Sequence, residues 1–157
     1  MNIGSGQSYP ANSLSNFAPH PFTIDGVECA SMEGFLQSLK FKNQLIQKEI
    51  CKLVGRSAKR AGKHKNWQRT QTLWWKGKPY PRVSKEYQSL LDRAFDALTQ
   101  NEKFRNALLA SGASTLQHTM GRGTKSETVL TRGEFCGRLM KIRARLWAEW
   151  EQNTKDS

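Results

Sequence analysis

Hydrophobic residues recur at intervals of three and four along most of the chain, a pattern that predicts five amphipathic helices. The first is expected at about residues 32–41, and the second, over about 45–54, is expected to end at Gly55. The third begins after Ser84 and the fourth lies around Phe104. The fifth is long enough to be a central core helix, with an apolar stripe of Phe135, Leu139, Ile142, Leu146 and Trp150.

Other segments follow different patterns. Two short apolar runs flank Asp25-Gly26, and because this pair suits the positive φ angles of a tight turn, residues 22–29 are predicted to form a β-hairpin. We expect a short helix and then a long loop over residues 56–80, a short strand at 115–119, and a polar loop at 121–131. The whole chain, 1–157, is therefore predicted to be one α+β domain, mainly α-helical, with its core at about 14–150.

The charge of the 157-residue chain is strongly unbalanced, with 25 Lys and Arg against 13 Asp and Glu and a net charge of +12. Such a field attracts polyanions, so nucleic acid, a nucleotide or a phosphorylated ligand is the expected partner class. The alternative is that the extra lysines only favour solubility. Because no segment is apolar over the length of a membrane span, we expect no membrane partner and a cytoplasmic protein.

The three cysteines and three histidines give no sign of a metal or cofactor. The cysteines are widely spaced and odd in number, so they are expected to be buried free thiols in a reducing compartment. The histidines lack metal-ligand spacing, and we expect no cofactor. Residues 120–126, MGRGTKS, do not match a Walker motif because Thr124 separates Gly123 from Lys125, yet Arg122 and Lys125 could approach a phosphate.

The first predicted helix carries a polar face. At 100° per residue, Glu33, Gln37 and Lys40 lie within about 60° of one another. Glu33 and Lys40 are about 10 Å apart along the axis, too far for a direct ion pair, so both ends are free for a third group. Gly34 is unfavourable inside an exposed helix, and its missing side chain would leave room beside Glu33. The alternative is a merely solvated face.

A basic and aromatic segment follows, from Lys59 to Trp75. Cations interleaved with tryptophans suit phosphate contact combined with stacking on a base. The alternative is a solvated loop whose tryptophans turn into the core.

These motifs occur in an order that resembles the NADAR superfamily, also called YbiA-like. The resemblance is carried by Leu14-Ser15-Asn16-Phe17, by the hairpin, and by Ser31-Met32-Glu33 followed by Gln37, Lys40 and Phe41. Later landmarks are Gly55-Arg56, the block 108–112 and the block 139–143, so the likeness spans about residues 14–146. It implies a YbiA-like fold, in which helices surround a central C-terminal helix beside a small N-terminal hairpin.

The resemblance also implies chemistry on the bond between a ribose anomeric carbon and a nitrogen. One implied activity is removal of ADP-ribose from guanine in DNA, an antitoxin or anti-defence role, and it is preferred here because a net charge of +12 suits a phosphate backbone. A second is hydrolysis of phosphoribosylated riboflavin-pathway intermediates. A third possibility is a non-catalytic module that binds ADP-ribose or nucleic acid, since the sequence departs from the family pattern at Gly34 and at residues 117–121.

For hydrolysis, Glu33 is predicted to stabilise the positive sugar or activate water, and Lys40 to act on phosphate or as an amine. Glu127 is the predicted second acid, preferred over Glu134, which would instead favour the start of the last helix. The residues predicted to bind the ADP-ribose-containing substrate are Asn16, Phe17, Gln37, Phe41, Arg56, Trp74, Trp75, His118 and Arg122.

Overall fold

A computed structural model describes residues 1–156, which form six α-helices and two antiparallel hairpins. The hairpins are β1 (Phe22–Ile24) with β2 (Val27–Cys29), and β3 (Thr72–Trp75) with β4 (Lys78–Pro81). The helices are α1 (Met32–Ser38), α2 (Gln44–Cys51), α3 (Gly55–Gly62), α4 (Lys85–Thr99), α5 (Glu102–Ala110) and α6 (Arg132–Asp156).

The first hairpin confirms the prediction for residues 22–29. Ile24 pairs with Val27, and the turn residues Asp25 and Gly26 have φ angles of 50° and 77°. The inward-facing residues of both strands are buried while Thr23 and Glu28 are exposed, as expected for a hairpin packed on one face. The hairpin therefore delivers the chain to Ser31, the residue that caps α1.

Helix α1 is shorter than the sequence predicts. Ser31 caps its N-terminus by accepting the Gly34 N–H at 3.0 Å. At the other end, the Ser38 carbonyl accepts from the Gln47 side chain at 3.1 Å and the Leu39 carbonyl accepts from the Trp74 N–H at 2.8 Å. Because tertiary partners take these carbonyls, the helix ends at Ser38 and leaves Lys40 in the following loop.

Gly55 does not end α2, as the sequence predicts, but begins α3. Its φ of +55° turns the chain into the new helix, whereas α2 ends at Cys51, whose carbonyl accepts the Ala30 N–H at 2.8 Å. The short helix predicted within residues 56–80 is confirmed as α3. Its buried Ala58 and Gly62 lie on the side that packs against α1.

The prediction of a long loop after α3 is wrong, because the chain forms the second hairpin there. Lys76 and Gly77, with φ angles of 50° and 82°, make the two-residue turn between β3 and β4. Trp75 packs in the core, where its ring lies 5.0 Å from that of Phe35. The hairpin thereby closes the side of the core beneath α1.

Helices α4, α5 and α6 complete the core where the periodicity predicts them. The predicted apolar face of α4 is buried, as are Phe135, Leu139 and Ile142 of α6. Trp150 is 55% exposed, however, so the last turns of α6 extend past the core. The strand predicted at residues 115–119 is reduced to one parallel bridge between Asn2 and Gln117.

The cysteines are buried and unpaired, which confirms the prediction of free thiols. Within residues 1–156, no helix is both long enough and apolar enough to span a bilayer.

Candidate active site

A pocket of about 260 Å³ opens where the N-terminal segment, α1, α3 and the loop before α6 meet. It includes six of the residues that the sequence proposes for the site, and adds Lys59 from α3. These seven residues are Asn16, Phe17, Glu33, Gln37, Lys59, His118 and Arg122.

Glu33 lies in the first turn of α1 and is half-buried at the pocket wall. Its backbone N–H donates to the Asn16 carbonyl at 3.0 Å, which joins the helix start to the N-terminal segment. Among the described residues that line the pocket, Glu33 is the single acidic side chain. A carboxyl at a helix N-terminus also lies at the positive end of the helix dipole.

The pKa of the Glu33 carboxyl is raised above its ordinary value, chiefly because burial disfavours the charged form. A hydrogen bond from Gln37 opposes this increase, and so do the charges of Lys40, Lys59 and His118. A carboxyl with a raised pKa, held in a concave site, can exchange protons with a reacting group closer to neutral pH.

Gln37 holds Glu33 in place. Its Nε2 donates to Glu33 Oε1 at 2.8 Å, and its side chain is buried against Gly62 of α3. A Cβ on Gly62 would overlap Gln37 Oε1, so the glycine is what allows the amide to fit. Gln37 occupies one carboxylate oxygen, whereas Glu33 Oε2 accepts no hydrogen bond within residues 1–156.

Lys40 follows the end of α1, and its side chain does not line the pocket. Its Nζ donates to the Gly62 carbonyl at 3.3 Å. Burial lowers the pKa of Lys40, while the negative charge of Glu33 raises it. The predicted lack of a direct Glu33–Lys40 ion pair is confirmed within residues 1–156, where the two interact through space.

His118 lines the pocket from the segment between α5 and α6. Its Nδ1 lies 2.9 Å from the Ile3 carbonyl, a contact in which the ring nitrogen donates, and its ring meets the Phe135 ring edge-on at 5.5 Å. With Nδ1 as a donor, Nε2 is available for proton exchange. His118 also contributes to the electrostatic environment of Glu33.

Two exposed cations, Lys59 and Arg122, line the same pocket from different elements. Neither forms an ion pair with a carboxylate in the part of the chain that the structure describes. The sequence predicts Arg122 as a site residue, whereas it indicates Lys59 only as part of the basic and aromatic segment. Helix α3 packs against α1 with Ala58 buried, and this packing brings the neighbouring Lys59 to the pocket, an orientation that no pattern within α3 specifies completely.

Gly34 does not leave room for a ligand, contrary to the sequence expectation. A Cβ there would lie 2.6 Å from the Leu53 carbonyl oxygen and 3.0 Å from that of Ile50. The glycine instead allows the end of α2 to pack against the first turn of α1, where Ser31 Oγ also donates to the Leu53 carbonyl at 2.9 Å. Its role is to position the turn that carries Glu33.

Besides Lys40, five predicted site residues are not brought to the pocket. Glu127 is exposed on the loop before α6, so the second carboxylate predicted for the site is absent from its described lining. Trp75 is a core residue that is 3% exposed and whose Nε1 donates to Asp25 at 2.8 Å. Arg56, Phe41 and Trp74 lie on neighbouring surfaces outside the pocket lining.

Glu134 confirms the role predicted for it at the start of α6. Its N–H donates to Thr131 Oγ1 and its Oε1 accepts the Thr131 N–H, which together form a capping box. Arg82, fully buried, reaches Glu134 at 2.6 Å and donates through Nε to the Thr128 carbonyl at 2.8 Å. This network fixes Thr128 and its neighbours as a pocket wall.

Comparison with known proteins relates the sequence to a bacteriophage family and the fold to a solved structure. Residues 8–144 match the family described as bacteriophage protein GP30.3. The chain is 40% identical over 148 residues to the 17.1 kDa protein in the Gp30–rIII intergenic region of Enterobacteria phage T4, an alignment that covers 91% of this chain and 96% of that protein. The NMR structure of the E. coli protein YbiA matches with a TM-score of 0.63 at 22% identity, over 95% of this chain and 85% of that one, which confirms the predicted α+β, mainly helical fold.

Proposed function

The chain is a NADAR-like protein of the bacteriophage GP30.3 family, and on that premise we propose that it is an N-glycosidase that removes ADP-ribose from guanine in DNA. The observation that carries the proposal is that one partly buried acid, Glu33, lines the same pocket as two cations, Lys59 and Arg122, that form no ion pair within residues 1–156. Hydrolysis of a ribosyl bond next to a diphosphate needs both kinds of group.

Glu33 acts on the C1′–N bond, which breaks in the reaction. As the C1′–N bond lengthens, its electron pair moves to the base nitrogen and positive charge builds on the ribose. Glu33 Oε2 stabilises that charge, and as a carboxylate it takes a proton from the water that adds to C1′. Gln37 keeps the carboxylate oriented through the other oxygen.

The leaving base must gain a proton, and His118 is the group in position to supply it. With Nδ1 held at the Ile3 carbonyl, a protonated ring carries its second proton on Nε2. The products are then free ADP-ribose, with a hydroxyl on C1′, and an intact guanine. His118 thus takes the part that the sequence analysis gave to Glu127.

The cations serve the diphosphate. Lys59 lies on α3 and Arg122 on the loop before α6, so a bound diphosphate would be contacted by a cation from each of these two elements. The Asn16 amide and the Phe17 ring line the same pocket and suit the ribose hydroxyls and an apolar ring face.

The proposal is tested with an oligonucleotide that carries one ADP-ribosylated guanine, followed by mass spectrometry of the products. We expect free ADP-ribose and an unmodified oligonucleotide of the original length. Bound substrate with no product under enzyme excess would overturn the proposal in favour of a binding module. Turnover of a phosphoribosyl metabolite, with none of the oligonucleotide, would overturn it in favour of a metabolic glycosidase.

A further inference from the structure

The positive charge of the chain is concentrated in one stretch. Residues 50–85 contain 11 Lys and Arg and no Asp or Glu. The other 121 residues hold 14 basic and 13 acidic side chains, so they are nearly neutral. The net charge of +12 therefore belongs almost entirely to residues 50–85, the stretch that contains α3 and the second hairpin.

Helix α3 and its C-cap present four of these basic side chains on one exposed face. Arg56, Lys59, Arg60 and Lys63 are separated by intervals of three, one and three residues, which places them within an arc of about 100°. All four side chains are exposed, and within residues 1–156 none of them forms an ion pair with a carboxylate. The face spans about 10 Å, or about three phosphates at the spacing of one nucleic-acid strand.

Two partly exposed aromatic rings lie on segments that hydrogen bonds connect to the end of α3: Lys40, next to Phe41, donates to the Gly62 carbonyl, and the Trp74 N–H donates to the Leu39 carbonyl. Lys65 Nζ lies 5.2 Å from the centroid of the Phe41 ring, and Lys42 Nζ lies 5.0 Å from that of Trp74. Each pair combines a flat apolar ring with a mobile cation.

We propose that the basic face of α3, together with the Phe41–Lys65 and Trp74–Lys42 pairs, binds single-stranded polynucleotide. We call this set of residues the α3 surface. The phosphates of the strand lie along α3. One base stacks on the Phe41 ring and another on the Trp74 ring, where they displace Lys65 and Lys42, and each displaced lysine then contacts a neighbouring phosphate. Lys59 belongs both to this surface and to the pocket, so the strand runs past the pocket mouth.

The aromatic pairs favour a single strand over a duplex. In a duplex the bases are stacked on one another and their faces cannot reach Phe41 or Trp74, whereas an unpaired base can stack on either ring. A purely electrostatic surface would not make this distinction. Strand binding by the α3 surface would hold a polymeric substrate beside the pocket. It rests on the proposed function only in taking the group in the pocket to be ADP-ribose on that strand.

Binding is measured by fluorescence anisotropy with labelled, unmodified 12-nucleotide DNA and RNA strands and with a 12-base-pair duplex, across a range of salt. The variant is Arg56→Gln with Arg60→Gln and Lys63→Gln, which leaves the pocket residue Lys59 intact. Its matched control removes the same charge elsewhere, as Lys103→Gln with Lys141→Gln and Lys155→Gln. We expect the α3 variant alone to lower the salt slope by about 2 for single strands.

A second variant, Trp74→Leu, keeps an apolar side chain but removes the ring. It is expected to weaken single-strand binding about tenfold and to leave duplex binding unchanged. Equal loss in the control triple variant, duplex binding as tight as single-strand binding, or unchanged binding by Trp74→Leu would each overturn the proposal. A preference for DNA or RNA supports it and identifies the source of the strand.

These measurements need no turnover, so they are separable from the proposed hydrolysis. Glu33→Gln is expected to bind the unmodified strands as tightly as the unchanged protein does. Hydrolysis without strand binding would overturn this inference alone, whereas strand binding without hydrolysis would overturn the proposed function alone.

Discussion

At the scale of single residues, the pocket depends on how Glu33 is held and how it titrates. Burial raises the pKa of its carboxyl, and the hydrogen bond from Gln37 opposes that increase because it favours the charged form. The same amide fixes the orientation of the carboxylate. A change at Gln37 should therefore move the pH dependence of turnover as well as its rate.

Replacement of Gln37 by Met keeps the length of the side chain and removes the hydrogen bond. Since Glu33 must be charged to accept a proton, the acid limb of kcat/KM should move to higher pH in Gln37→Met. The pH–rate profile measures this shift, with Glu127→Gln as the control because Glu127 is exposed and outside the pocket lining. An acid limb that stays in place in Gln37→Met would separate Gln37 from the titration of Glu33.

Gly34 gives a prediction about stability. A methyl group at this position would meet the Leu53 carbonyl oxygen, so Gly34→Ala should lower the free energy of unfolding by about 1–3 kcal/mol in urea. Gly137 lies inside α6, and a Cβ there would have no heavy atom within 4 Å. Gly137→Ala should accordingly stabilise the protein by up to about 1 kcal/mol. Equal effects of the two changes would contradict the packing role of Gly34.

Sequence reasoning found Glu33 and Gln37 because helical periodicity places them on one face, and the family resemblance gave that face a function. It misread Gly34, since the atom that excludes a side chain belongs to a backbone carbonyl 19 positions away. It also left Lys59 out of the site. The orientation of α3 depends on packing against α1, which no pattern within α3 specifies completely.

At the scale of elements, the loop before α6 depends on the buried pair of Arg82 and Glu134. The Arg82 side chain has no exposed area and that of Glu134 is 7% exposed. Burial alone would raise the pKa of Glu134, but hydrogen bonds from Arg82, the Thr131 N–H and Gln88 lower it to about 2. The pair therefore links β4, α4 and α6 to the wall of the pocket.

Because the pKa of Glu134 is lowered in the folded protein, the free energy of unfolding depends on pH. The contribution of Glu134 is fully present above the unfolded-state pKa of about 4.3 and is lost as the pH falls from about 5 to about 2, where the folded carboxyl takes up its proton. A difference of this size corresponds to about 3 kcal/mol. Urea unfolding between pH 2 and pH 7 should show the loss, and Glu134→Gln should flatten it. The same slope in both proteins would assign the acid dependence to other carboxyls.

Elements with long periodic stripes were predictable, and the shortest ones were not. Helices α4 and α6 follow their sequence patterns because many side chains enforce one face. The second hairpin was missed because each strand has four residues and β4 contains Pro79 and Pro81, which usually argue against a strand. The end of α1 also escaped prediction, since it depends on hydrogen bonds from Gln47 and Trp74.

At the scale of the whole molecule, the separation of charge gives a prediction about turnover. Because residues 50–85 carry 11 basic side chains and no acidic ones, kcat/KM for an ADP-ribosylated oligonucleotide should fall steeply as salt increases. The matched small substrate is a single ADP-ribosylated guanosine, whose kcat/KM should change much less. Parallel salt dependences for the two would show that the charge outside the pocket does not act on the substrate.

The most direct test of the account is the turnover of Glu33→Gln beside that of Glu127→Gln. Both changes remove one negative charge, but only Glu33 lines the pocket. With ADP-ribosylated oligonucleotide as substrate, we predict that Glu33→Gln lowers kcat by about 10²-fold or more with its Tm unchanged, while Glu127→Gln retains full activity. Turnover of Glu33→Gln within about twofold of the unchanged protein would contradict the claim that this carboxyl drives the reaction.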